Sequence, residues 1–88
     1  MANHTNVVHV IRYGTDEYIT GDAFWPQVTN DIKKATRIDN FNDAKKYVKT
    51  AKPRLKKSGN NEDVSIVKAI AERNENFELV KIRILKEQ

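Results

Sequence analysis

The clearest helical period in this chain is short and stands between strand-like segments, an arrangement that limits the fold more than any other feature. Phe41, Ala44, Tyr47, Val48 and Ala51 recur at steps of three and four. At about 100° per residue they fill an arc of about 120°, the width a helix buries against one surface. Asn40 suits the N-cap, and Asp43 in the first turn lies favourably against the positive end of the helix dipole. Pro53 disfavours helix at Lys52, so the pattern predicts a helix from Asn40 to Ala51 that stops or kinks there. One such helix cannot enclose a core alone. It needs a sheet to lie on.

The flanking segments supply that sheet. "VVHVIRYGTDEYITG" reads as a hairpin: Val7 to Tyr13 is rich in β-branched and aromatic residues, Gly14-Thr15-Asp16 supplies turn chemistry, and Glu17 to Thr20 resumes the strand. In "AFWPQVTND", Pro26 pushes Trp25 toward an extended conformation, which predicts an ordered loop with its aromatics folded onto the core. "KKATRID" is a candidate short third strand. "EDVSIVKAIAER" fits either a short helix capped by Asn61 or a strand. The strand is favoured, because "NFELVKIRIL" follows at hairpin distance and alternates Val80, Ile82 and Ile84 with Lys81 and Arg83. "RNEN" (Arg73 to Asn76) would be the turn. The expected fold is α+β: an antiparallel sheet of four to five strands in the order β-β-(β)-α-β-β, with one helix packed on one face. The 88 residues make a single domain, with 1–6 frayed and 56–62 a mobile loop.

Charge is distributed unevenly. The net charge is +4, yet Lys45, Lys46, Lys49, Lys52, Arg54, Lys56 and Lys57 crowd into one segment free of acids, so the remainder is mildly acidic. On a helical wheel the lysines up to Lys52 flank the buried stripe, and Arg54, Lys56 and Lys57 carry that flank past Pro53. One or two cations would suffice to complement the helix C-terminus. A helix built only for stability would interleave glutamates, and this one does not. The patch is therefore a candidate footprint for nucleic acid or an acidic protein surface, weighed against a merely solvated face. Six of its seven cations are lysines, point charges that hold phosphate without reading sequence. Tyr13, Tyr18 and Trp25 are available to stack bases, although core and edge packing is the more usual use of such residues.

Other chemistries find little support. Without cysteine there are no disulfides and no thiolate sites. No apolar run is long enough to span a bilayer, and the N-terminus has neither the basic nor the apolar region of a signal peptide, so a cytoplasmic location is expected. His4 and His9 are the only histidines. Ser58 and Ser65 lie in no nucleophile elbow, and Gly14, Gly21 and Gly59 are too far apart for a phosphate loop. Neither enzyme activity nor a cofactor or metal is expected.

The segment "VIRYGTDEYITGDAFWPQVTNDIKKATRIDNFNDAKKYVKTA" resembles a layout of small uncharacterised proteins from bacteriophages and prophages of Gram-positive bacteria. The matching residues are Tyr18, Trp25, Lys34, Ala35, Ile38, Phe41, Ala44 and Tyr47, with Ile38 standing where an aromatic is more usual. The resemblance covers about half the chain and implies a non-enzymatic accessory binder acting in the host cytoplasm. Such proteins include inhibitors of restriction or CRISPR nucleases. Three binding roles follow. The basic flank engages nucleic acid or a host nucleoprotein; or the chain inhibits a host nucleic-acid enzyme directly through a sheet edge or the Phe24, Trp25 loop; or an edge at Val80–Leu85 pairs two copies.

Overall fold

The computed structural model describes residues 3–87. Five strands form one sheet: β1 (His4–Tyr13), β2 (Glu17–Thr20), β3 (Gln27–Thr29), β4 (Val64–Arg73) and β5 (Leu79–Glu87). Their spatial order is β3-β2-β1-β4-β5, with every neighbouring pair antiparallel. One helix, α1 (Phe41–Lys57), connects β3 to β4. The fold is α+β, and the stretch that fitted either helix or strand is strand β4.

The β1–β4 pair is the spine, in register from His4↔Arg73 to Tyr13↔Val64. The expected fraying of 1–6 falls partly on residues 1–2, outside the described residues. His4 to Asn6 belong to β1, opposite Ala71 to Arg73. The alternation of a strand sends Val8 and Val10 to one face and Ile11 and Tyr13 to the other. Both faces are covered. On one, Ala44, Tyr47, Val48 and Leu55 of α1 pack over Ile11, Tyr13, Ile19, Val64 and Ile66. On the other, Ile32 and Ala35 pack over Val8, Val10, Tyr18, Val67, Ala69 and Ile82. Ile32 begins a 3-10 turn, Ile32–Lys34, capped by the Asp31 side chain.

The chain passes from one face to the other through the sheet itself. β2 pairs with β1 only at Arg12↔Tyr18 and Tyr13↔Glu17, then diverges. Residues 36–38 enter the gap. The Thr36 N–H donates to the Ile19 carbonyl at 3.1 Å, and His9 and Ile38 exchange backbone hydrogen bonds of 2.6 and 2.9 Å. "KKATRID" is therefore a 3-10 turn plus a single bridge, and the third strand lies earlier, at Gln27–Thr29.

The helix does not stop before Pro53. It continues to Lys57 because Leu55, one turn further on, is buried against the sheet. Burying a leucine contributes about 2 kcal/mol, which offsets much of the roughly 3 kcal/mol that a mid-helix proline costs. Pro53 itself is exposed, so the Lys49 carbonyl that loses its N–H partner faces water. At the start, Asn40 accepts from the Asp43 N–H at 2.8 Å and its amide donates to the Asp43 carboxylate at 2.9 Å. At the end, the Gly59 N–H donates to Lys56 at 3.0 Å and the Asn60 N–H to Leu55 at 2.9 Å, a Schellman closure. Lys56 and Lys57 thus form the last helical turn instead of opening a loop.

In β5, Ile82 and Ile84 face the core as the alternation predicts, but Val80 is 53% exposed. The register slips between Glu72 and Arg73 and again between Lys68 and Ala69, so Val80 and Leu85 have no partner opposite them. Such bulges blunt an outer strand against pairing with a second sheet. The hairpin turn sits slightly later than "RNEN". The Asn74 side chain accepts from the N–H groups of Asn76 and Glu78 at 2.9 and 3.0 Å, and Phe77 takes a left-handed conformation.

Candidate functional site

Continuation of α1 through Pro53 decides how the basic residues are arranged. Lys45, Lys49, Lys52 and Lys56 fall at i, i+4, i+7 and i+11, within an arc of about 60° on one flank. The row extends about 16 Å at the rise of an α-helix. These lysines, with Val48 and Pro53, line two adjoining hollows of about 400 and 470 Å³ along α1, the first bounded also by Ile66 of β4. Lys46 reaches the rim of the first. At the head of the row, the Lys45 ammonium sits 5.7 Å from the centre of the Phe41 ring. Among the described residues, no carboxylate forms an ion pair with any of the seven cations. Each like-charge pair one turn apart costs about 0.2–0.5 kcal/mol.

Beyond Pro53, Arg54 leaves the row and Lys56 rejoins it. Arg54 projects from the opposite flank of α1, where its guanidinium lies 4.8 Å from the centre of the Phe24 ring and donates to the Thr50 carbonyl at 3.1 Å. Lys46 and Lys57 occupy the outer surface between the two flanks, by the same helical geometry.

The aromatic loop is the main departure from expectation. Tyr13 and Tyr18 are core residues, but Trp25 is 78% exposed and Phe24 60%. They are turned outward by the loop's own hydrogen bonds. The Asp22 carboxylate accepts from the N–H groups of Phe24 and Trp25 at 2.9 and 3.0 Å, an Asx turn that tightens the chain after β2. The base of the loop is held from two sides: the hydroxyls of Thr36 and Tyr47 donate to the Gly21 carbonyl at 2.6 and 2.7 Å. Gly21 has φ +84°, and a Cβ there would lie 2.8 Å from the Trp25 carbonyl oxygen. The Phe24–Trp25 pair is thus fixed in place without being buried. A sequence signal for this existed in Gly-Asp before two aromatics and a proline, which is turn chemistry and not strand chemistry.

Titratable chemistry is sparse around this surface. Burial raises the Tyr47 phenol above its ordinary value of 10.0; the Asp22 charge adds to this and the Thr36 hydroxyl opposes it. His9 is buried beside the Ile38 bridge, and His4 stacks on Phe77 with ring centres 4.1 Å apart. Among the described residues, no group of three or more His, Asp or Glu side chains converges as metal ligands would. No helix among them is long and apolar enough to cross a membrane. Comparisons with protein-family models, curated proteins and solved structures find no match, so this surface itself must carry the functional argument.

Proposed function

We propose that the protein is a non-enzymatic binding module that holds nucleic acid, or a nucleoprotein, against the lysine flank of α1. The observation that carries this reading is the alignment of Lys45, Lys49, Lys52 and Lys56 along one helix edge with no acidic partner among the described residues. Like charges kept together at a cost to the free protein are repaid when phosphates replace their counterions. The resemblance to small phage and prophage proteins extends the reading to an accessory protein acting on a host component.

The test is the salt dependence of binding to generic DNA and RNA, single-stranded and duplex, between about 50 and about 300 mM salt. Four phosphate contacts predict a slope of log K against log salt of about −3 to −4. Replacing Lys49 by alanine reduces that slope by about 1. Binding that is flat with salt, or absent at low salt, rejects the proposal.

A second reading, direct inhibition of a host nucleic-acid enzyme, is favoured by the apolar floor of the lysine-rimmed cleft, Val48 and Ile66. Phosphates make no use of such a floor, whereas an acidic protein segment with an aliphatic anchor does. Its check is retention of one partner after nuclease treatment, combined with loss of that partner in Val48→Asp, whose fold is verified by circular dichroism. A partner released by nuclease opposes it.

A further inference from the structure

A phosphate backbone alone accounts for the lysines but leaves the outward-facing rings unexplained. Trp25 and Phe24 are large apolar groups in water, held there by Asp22 and by two hydroxyls on Gly21. Burying either ring would stabilise the fold by about 2 kcal/mol, so their exposure is a feature the loop maintains.

Their surroundings indicate the kind of ligand. Arg54 lies over Phe24, so the loop and α1 form one continuous surface. Lys46 and Lys57, on the outer face of the helix, lead from that aromatic corner toward the lysine row. At the head of the row, Phe41 is 42% exposed and carries Lys45 over its ring. Rings and cations thus alternate across a helix about 10–12 Å wide. The core of a protein–protein interface is depleted of lysine around its aromatic anchors. Here the Arg54 guanidinium lies over Phe24 with the lysines of the outer helix face beyond it, and the neighbouring Asp22 carboxylate is already occupied by two backbone donors. Stacking rings beside a basic track are the common means of holding single strands, because an unpaired base offers a free π-face and a duplex does not.

We propose that Trp25 and Phe24 stack the bases of single-stranded nucleic acid whose backbone follows the α1 cations, making the protein selective for single strands over duplex. This rests on the polyanion reading above and names its ligand class.

The chain's one tryptophan makes the test direct. Oligothymidine of about 16 nucleotides is titrated into the protein while Trp25 emission is followed, in parallel with a duplex of equal length. The expected result is quenching by the single strand, with binding about tenfold or more tighter than to duplex. In Trp25→Ala, single-strand affinity falls about tenfold, duplex affinity stays within a factor of two, and Trp25→Phe restores most of the loss. Because Trp25 is exposed, these variants fold, as a thermal melt verifies. Salt-dependent binding without quenching and without single-strand preference overturns this inference while leaving the polyanion reading intact. So does a Trp25→Ala variant that binds oligothymidine like the parent, which would assign the rings to a protein partner. No binding of either nucleic acid at low salt overturns both.

Discussion

Gly21→Ala and Gly59→Ala impose the same backbone penalty in different surroundings, and the difference between them measures how tightly the aromatic loop is built. Both glycines have left-handed backbones, φ +84° and +85°. An alanine there costs about 1–2 kcal/mol in conformational strain, less about 0.4–1 kcal/mol recovered from a stiffer unfolded chain. At Gly59 that is the whole effect, since nothing lies within 4 Å of the added Cβ. At Gly21 the Cβ meets the Trp25 carbonyl at 2.8 Å, a backbone atom that cannot rotate away. Relief requires the loop to shift, and the Gly21 carbonyl accepts both the Thr36 and Tyr47 hydroxyls. Weakening those two bonds costs about 1 kcal/mol each. Gly21→Ala is therefore about 1–3 kcal/mol less stable than Gly59→Ala, or at least about 4 °C lower in Tm for a domain of this size. Thermal unfolding followed by circular dichroism reads the difference, and Trp25 emission reports the displaced loop. Melting temperatures within about 2 °C of each other would refute the reasoning.

Other consequences can be checked alongside. Pro53→Ala restores the N–H to the Lys49 carbonyl on an exposed face and should raise stability by about 1–3 kcal/mol in denaturant titration; a loss would mean that the proline sets the helix's path. Ile11→Ala, deep beneath α1, should cost about 2–5 kcal/mol, whereas Val80→Thr on the bulge should stay within about 0.5 kcal/mol. Because the folded Tyr47 pKa is raised, the unfolded phenol loses its proton first. Stability is therefore intact below about pH 10 and declines as pH rises through that range, and Tyr47→Phe should flatten the decline. The bulged β5 edge predicts a monomer by sedimentation at high protein concentration, and a concentration-dependent dimer abolished by a β5 proline would contradict that.

Much of the fold could be read because local and tertiary preferences agree. Glu17 to Thr20 is a strand where β-rich residues follow turn residues, and α1 begins at Phe41 because the Asn40 side chain caps the first turn in sequence and in space. What was not legible depended on packing at a distance. Nothing near Pro53 announces that Leu55 will be buried and draw the helix onward. The direction of Arg54 follows from that continuation and from Phe24, a neighbour distant in sequence. Trp25 obeys loop hydrogen bonding instead of hydrophobicity, and Val80 is displaced by a register slip that its own alternation cannot reveal. The cover on the second face was illegible for a related reason: Ile32 and Ala35 form no periodic pattern.

The crossing at residues 36–38 has a consequence for how the molecule tolerates being cut or enlarged. Because this short run seals the seam between β1 and β2 while tethering the covers of both faces, extra residues there would loosen two cores together. The Gly59 turn, exposed and with nothing within 4 Å of an added Cβ, is the place where a linker, a fused reporter or new chain ends would leave those cores undisturbed.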